Sequence, residues 1–132
     1  MHRAVLGLIT VFLLGGCSSP VGTTTSTSAS PGIIVTVEDY RFVPAVLSIV
    51  ESQSVQVRNQ GRLAHTWTVV AVPVTAEIDI AGSSVLAEGR VEVGQSVSVD
   101  ISGLLPGSYQ VVCAIPGHFT LGMAGQLEIS GP

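Results

Sequence analysis

Three side chains with soft metal-binding atoms follow one another at five-residue intervals near the end of the chain: Cys113, His118 and Met123. A thiolate, an imidazole and a thioether together favour copper, whereas calcium and magnesium prefer oxygen ligands. Zinc binds Cys and His readily but seldom Met, so zinc is the weaker candidate. A type 1 copper site needs a second imidazole, and His65 is the only other His beyond residue 2. The donor chemistry therefore predicts one copper ion held by these four residues.

Each of these residues also has an ordinary structural interpretation when it is taken alone. A free Cys packs in a core as a small hydrophobe, and Met fills gaps between larger side chains. His65, at the start of a predicted strand, has the alternative of a hydrogen-bonded His in the core or at the surface. We prefer the metal site because one site accounts for all the donors. In addition, Cys113 is predicted to have no disulfide partner, since the only other Cys, Cys17, is predicted below to carry a lipid.

The first residues of the chain have the pattern of an export signal. A short basic start, residues 1–3, precedes the apolar segment 4–14. Eleven helical residues rise about 16 Å, far less than the ~30 Å hydrocarbon core of a membrane. The sequence LGGC at 14–17 resembles the processing box of bacterial lipoproteins. We predict that residues 1–16 are a lipoprotein signal peptide and that Cys17 carries the lipid; an ordinary signal peptide with an incidental Cys is the alternative.

The segment after Cys17 is uncharged and nearly free of large apolar residues. Residues 18–32 contain only Ser, Thr, Gly, Pro, Ala and one Val. Such a segment has no face to bury, so residues 17–32 are predicted to be the lipidated Cys and a flexible tether. A coil of this length spans roughly 20 Å. Signal, lipid and tether together predict an extracytoplasmic domain, periplasmic or equivalent, that is lipid-anchored to a bacterial membrane.

The remaining residues, 33–132, have the pattern of an all-β domain. The chain is 46% hydrophobic and 11% charged with a net charge of -4, which excludes a disordered chain and a nucleic-acid-binding protein. Apolar residues alternate with polar ones, as at Val97, Val99 and Ile101. Strands are predicted at 33–38, 46–50, 54–58, 65–72, 96–101, 108–113 and 126–130. Residues 73–90 have the least regular pattern and are predicted to be a loop, with or without a short strand. Seven or eight strands at this spacing indicate an antiparallel Greek-key β-sandwich or barrel.

Several segments of the sequence resemble the cupredoxins, the small blue copper proteins of the plastocyanin and azurin type. These segments are DYRFVP at 39–44, NQG at 59–61, AHTW at 64–67, LPGSY at 105–109, CAIPGH at 113–118 and GMAG at 122–125. The resemblance implies a cupredoxin domain at 33–132. It also implies three equatorial copper ligands, His65, Cys113 and His118. Met123 is then the long axial ligand.

Two positions depart from the pattern of this family. Ser52 stands where relatives usually carry Gly in the turn before the third strand. This departure concerns the local turn and not the metal. Thr66 follows the first ligand His, where Asn is frequent and braces the ligand loop by a hydrogen bond.

The function implied by the resemblance is single-electron transfer rather than catalysis. Four protein donors leave copper no open position for a substrate, so no enzymatic activity is predicted. Multicopper oxidases and copper nitrite reductases need further His, and a dinuclear CuA centre needs a second Cys in the loop. A Cys–His hydrolase is disfavoured because no orienting carboxylate is evident beside Cys113. The alternative function is a copper-binding protein for copper delivery, storage or resistance.

The expected partners are redox proteins, such as a cytochrome or a membrane oxidoreductase, and the membrane itself through the lipid anchor. The domain is predicted to be a monomer that binds no nucleic acid. Uncharged residues surround His118 in the sequence: Pro116, Gly117, Phe119, Leu121 and Gly122. An apolar patch suits brief docking over a small interface, so electrons are predicted to pass at the edge of His118. The alternative is that Phe119 and Leu121 belong to the core.

Overall fold

The computed structural model of the 132-residue chain describes residues 32–51 and 54–132. Nine strands are found there: β1 (Ile33–Glu38), β2 (Arg41–Val43), β3 (Val46–Val50), β4 (Ser54–Asn59), β5 (His65–Val70), β6 (Val85–Val91), β7 (Ser96–Asp100), β8 (Gly107–Val112) and β9 (Ala124–Ser130). One short helix, α1 (Glu77–Ile80), lies between β5 and β6. The predicted signal peptide, Cys17, the tether up to residue 31 and Ser52 lie outside the described residues. In the part of the chain that is described, no helix has the length and apolar character needed to span a membrane.

The strands form two sheets with one apolar core between them. One sheet has the strand order β2-β1-β4-β7 and the other β3-β9-β8-β5-β6. The predicted all-β sandwich is therefore confirmed. The expectation of antiparallel pairing throughout is wrong at two places, because β1 pairs with β4 and β3 with β9 in parallel. A period of two in the sequence identifies the buried face of a strand but not the direction of its neighbour.

Alternating residues of the two sheets build this core. Along β4, Val55 and Val57 are fully buried, whereas Gln56 between them is exposed. Trp67 of β5 and Leu127 of β9 belong to the same cluster from the opposite sheet. Burying an aliphatic side chain of this kind contributes about 1.5–3 kcal/mol. The sandwich is thus a rigid support for whatever its strand ends carry.

The segment between β5 and β6 covers part of the outer face of the five-stranded sheet. Val74 and Ile80 form a second apolar cluster there, together with Val70 of β5 and Val112 of β8. In consequence β5 is buried along its whole length, on both of its faces. A polar side chain on the outer face of β5 is therefore enclosed rather than solvated.

Residues 73–90 are more regular than the loop predicted for them. The range contains α1 and most of β6, which pairs with β5 as a full edge strand of the sheet. Two of the three inward positions of β6 carry the small residues Ala87 and Gly89, and only the last, Val91, is a large apolar residue. A Cβ at Gly89 would lie 2.5 Å from a methyl group of Val99. The tight contact requires a small residue, and small residues do not produce a visible hydrophobic alternation.

Strand β2 is also absent from the predicted set. It has three residues, of which only Phe42 is buried, and it pairs with the end of β1. The turn between β1 and β2 places Tyr40 at φ +63°. Three residues are too few to establish a period of two. The other strands lie where the alternation predicted them, within a few residues at their ends.

Candidate metal centre

The four predicted ligands lie at one end of the five-stranded sheet. His65 is the first residue of β5, Cys113 directly follows β8, and Met123 directly precedes β9. Because β8 lies between β5 and β9 and is antiparallel to both, these three strand ends lie side by side at the same end of the sheet. His118 lies in the loop 113–123, which connects β8 to β9.

The two imidazoles and the thiol converge on one point. Nδ1 of His65 lies 3.2 Å from Nδ1 of His118, which in turn lies 3.4 Å from Sγ of Cys113. All three ligand atoms lie within 4.8 Å of one another. His65 and Cys113 are completely buried, whereas His118 is 8% exposed. The cluster therefore excludes water except along the side of His118.

Backbone hydrogen bonds hold Met123 against the other loop ligands. Its N–H donates to the carbonyl of His118 at 3.0 Å, and its carbonyl accepts from the N–H of Cys113 at 3.1 Å. The Met123 side chain is fully buried in the same core cluster as Cys113. Gly117 and Gly122 have φ values of +89° and +96°, a conformation that favours glycine. The loop is therefore a closed turn with little freedom to open.

This donor set fits copper. A thiolate, two imidazoles and a thioether are the ligands of type 1 copper sites. A His that binds metal through one nitrogen carries its proton on the other, often directed to a carboxylate. Here Nε2 of His65 is buried without a hydrogen-bond partner, and Oδ1 of Asp39 lies 3.7 Å from it. With its Nδ1 in the cluster, His65 thus has a carboxylate on its other side.

The electrostatic environment of His65 favours the neutral imidazole. Burial lowers the pKa of His65, and the neighbouring His118 lowers it further, while Asp39 acts in the opposite direction. The pKa of Asp39 is lowered chiefly because the backbone N–H of Arg62 donates to its Oδ1 at 2.8 Å. The Nε of Arg62 also donates to Oδ2, at 3.0 Å. A neutral His65 beside an ionised Asp39 is the form that binds a metal ion.

Thr66 takes the bracing position that Asn often occupies in the family. Its hydroxyl accepts a hydrogen bond from the N–H of Ala114 at 2.7 Å, which joins β5 to the start of the ligand loop. Its backbone N–H lies 3.3 Å from Sγ of Cys113 and donates to it. A donor aimed at the sulfur stabilises the thiolate form that a metal requires.

Glu77 is a site residue that the sequence did not indicate. Its carboxylate accepts hydrogen bonds from the N–H of Gly117 at 2.5 Å and from the hydroxyl of Thr120 at 2.6 Å. The N–H of Thr120 also donates to it, at 3.2 Å. The Thr120 hydroxyl and then the Gly117 N–H lower the pKa of Glu77. Glu77 lies 40 positions before Gly117, in a segment without a clear pattern, so only the tertiary structure reveals this brace.

The uncharged residues beside His118 divide between surface and interior. Leu121 is 60% exposed. Phe119 is half-buried and packs against the second apolar cluster under α1. The core alternative is therefore correct for Phe119 but not for Leu121. Pro116 and Gly117 are exposed on the same loop, so an apolar surface lies next to the partly exposed ligand.

Several solved structures are similar to this fold. Auracyanin from the photosynthetic bacterium Roseiflexus castenholzii has 17% identity and a TM-score of 0.63, over 77% of this chain and 98% of its own. Auracyanin A, a "blue" copper protein from Chloroflexus aurantiacus, has 21% identity and a TM-score of 0.52, over 74% of this chain and 99% of its own. An oxidised amicyanin variant has 19% identity and a TM-score of 0.55, over 80% and 88%. No curated protein matches the chain by sequence.

The family of the chain follows from its sequence. The family described as "Copper binding proteins, plastocyanin/azurin family" matches residues 33–130. The match includes all four positions of the site: His65, Cys113, His118 and Met123. The predicted copper cofactor and the cupredoxin resemblance are thereby confirmed. This chain belongs to the plastocyanin/azurin family of copper-binding proteins and has a type 1 copper site.

Proposed function

We propose that this protein is a membrane-tethered carrier that transfers single electrons through one type 1 copper ion. The proposal rests on one observation: two imidazole Nδ1 atoms and one thiol converge at a buried end of the five-stranded sheet. Copper bound there supplies a Cu(I)/Cu(II) couple. The protein's contribution is to keep the donors in nearly one arrangement for both oxidation states, so that little rearrangement accompanies the electron.

The surroundings of the site suit a carrier better than an enzyme. His65, Cys113 and Met123 are completely buried, and the loop that contains His118 is closed by its own backbone hydrogen bonds. A substrate would need an open coordination position, and four protein donors leave none. We therefore propose that the protein is a carrier and has no catalytic activity. The edge of His118, beside the exposed Leu121, is the proposed path for electrons to and from a partner redox protein such as a cytochrome or a membrane oxidoreductase.

The experiment that tests electron transfer uses the copper-loaded protein. We expect an intense blue thiolate-to-copper band, a small hyperfine splitting in electron paramagnetic resonance, and a reversible one-electron voltammetric wave. In Cys113→Ser the blue band should vanish, because the thiolate is the origin of that transition. A pale Cu(II) site, or a protein that binds Cu(I) alone, would contradict the carrier and favour copper delivery, storage or resistance instead.

The membrane tether is proposed from the sequence of the first 32 residues. The LGGC sequence at 14–17 follows an apolar segment that is too short to span a bilayer, and an uncharged segment separates it from the domain. A lipid on Cys17 would hold the domain at a bacterial membrane outside the cytoplasm. This arrangement lets a monomeric carrier exchange electrons with partners near the same surface.

A further inference from the structure

A line of polar side chains runs from the surface of β6 to the ligand sulfur. Oε2 of Glu88 lies 2.8 Å from Oγ1 of Thr68, and Oγ1 of Thr68 lies 3.0 Å from Oγ1 of Thr66. Oγ1 of Thr66 lies 3.8 Å from Sγ of Cys113. Thr68 is completely buried and Thr66 nearly so, whereas Glu88 is exposed. We refer to Glu88, Thr68 and Thr66 as the hydroxyl relay.

The number of available protons determines how the hydroxyl relay is oriented. An ionised carboxylate only accepts hydrogen bonds, so the single hydroxyl proton of Thr68 goes to Glu88. The hydroxyl oxygen of Thr66 already accepts from the N–H of Ala114. The Thr66 proton then has two acceptors within reach, the Thr68 oxygen at 3.0 Å and the Cys113 sulfur at 3.8 Å. Oxygen at the shorter distance is the stronger acceptor, so the proton points away from the sulfur.

This orientation has a consequence for the charge on the sulfur. The Cys113 thiolate keeps one hydrogen bond from the protein backbone, the N–H of Thr66. Each further donor to a thiolate withdraws electron density from it, weakens its donation to the metal and favours Cu(I) over Cu(II). The Thr66 hydroxyl is thus close enough to become a second donor to the sulfur, but in the relay it donates to Thr68 instead.

We propose that Glu88 and Thr68 are positioning residues that lower the reduction potential of the copper site by turning the Thr66 hydroxyl away from Cys113. The inference rests on the proposed electron-transfer function and names a determinant of its potential. This effect requires the burial of β5 on both faces, because a water molecule at Thr68 would offer other acceptors and the Thr66 hydroxyl would no longer be held in one orientation.

The main test is Thr68→Val, which removes the acceptor without changing any charge. The Thr66 proton then has only the sulfur as its acceptor. We expect the Cu(I)/Cu(II) ratio at a fixed applied potential to increase roughly threefold to tenfold, the range of one hydrogen bond. The blue band should also move to higher energy, because the filled sulfur orbital is stabilised. Thr68→Ser, which keeps a hydroxyl, is the matched control and should leave both readouts as in the wild type.

A second comparison separates the relay from general effects of substitution. In a Thr66→Val background no hydroxyl is left to turn, so adding Thr68→Val should produce no further change in the ratio. Glu88→Ala should shift the ratio in the same direction as Thr68→Val, and by less when Thr68 is already Val. Because Glu88 is exposed, this variant also serves if Thr68→Val does not fold.

The outcomes distinguish the relay from the proposed function. If the wild type shows no reversible couple, the electron-transfer function fails and the relay fails with it. If the couple is present but Thr68→Val leaves the ratio unchanged or lowers it, the relay alone is wrong. A Thr68→Val shift that persists in the Thr66→Val background would also overturn it, because the effect would then not pass through the Thr66 hydroxyl.

Discussion

At the scale of single residues, Met123 combines a role in packing with a role as a ligand. Its side chain is fully buried, and Leu has nearly the same volume, so Met123→Leu should cost less than about 1.5 kcal/mol of stability. The thioether is a weak donor that stabilises Cu(II) more than Cu(I), because the higher charge gains more from each donor. We therefore expect a higher reduction potential in Met123→Leu with the blue band retained, as measured by voltammetry and visible spectroscopy.

The control for this substitution is a core change that leaves the site untouched. Leu127→Met alters an equally buried residue of β9 and should leave the potential where it is. An unmoved potential in Met123→Leu would remove Met123 from the ligand set and leave a three-ligand centre.

The ligands could be predicted from sequence because their chemistry is unusual and local. Three of them lie within one loop, and His65 was the only other imidazole beyond the predicted signal peptide. Asp39 and Thr68 could not be assigned their roles in this way. Each acts through a contact that forms only after the strands assemble, and Asp or Thr at such positions has many ordinary uses.

At the scale of elements, the short helix α1 braces the ligand loop through Glu77. Hydrogen bonds from Thr120 and Gly117 lower the pKa of Glu77, so the ionised carboxylate stabilises the folded state. Its stabilising contribution is therefore complete above the ordinary Glu pKa of 4.5 and is lost as the pH falls through the lower folded-state value. Glu77→Gln should therefore lower the melting temperature of the copper-free protein at pH 7. In acid, the melting temperatures of the variant and the wild type should become equal.

Asp79 on the same helix provides the matched control. It is an exposed acid of α1, so Asp79→Asn removes the same charge without a bond to the loop. This variant should melt as the wild type does at both pH values. If Glu77→Gln melts like Asp79→Asn at pH 7, the brace does not stabilise the loop.

The exposed apolar surface of the ligand loop predicts where a redox partner docks. Leu121 is 60% exposed beside His118, and Leu105 is 73% exposed before β8, at the opposite end of that strand from Cys113. Leu121→Asp should slow electron exchange with a redox partner while the visible spectrum stays the same, because a charge disrupts an apolar contact. Leu105→Asp should leave the exchange rate unchanged. Equal rates in both variants, measured by stopped-flow kinetics, would place the docking surface elsewhere.

Elements were predictable where apolar residues alternate over five or six positions. β4 and β9 are strands of this kind, and each lies where its pattern indicates. β6 was hidden because close packing on Val99 requires Gly89 at an inward position. The parallel pairings were hidden for another reason, since chain direction depends on how loops cross between sheets and leaves no mark within a strand.

At the scale of the whole molecule, the proposed anchor and the copper domain are separable. Cys17→Ser should move the protein from washed membranes to the aqueous fraction, because a lipid of two or three chains holds a protein stably at a membrane and the variant lacks the thiol that would carry it. Its copper spectrum should be unchanged. Gly16→Ala is the control, as it keeps a small residue before Cys17 and should remain with the membrane. Retention of Cys17→Ser on washed membranes would contradict the lipid anchor.

Strand β1 runs from one end of the domain to the copper end. Asp39, just after its last residue, lies 3.7 Å from His65 at the copper end. Ile33, its first residue, is therefore at the far end, about 17 Å away along the strand. If Cys17 carries a lipid as proposed, the tether joins the domain at Ile33, at the end opposite the copper site. In that arrangement a redox partner that extends from the membrane beyond the domain would meet the copper end, whereas a partner level with the bilayer would lie at the opposite end of the domain.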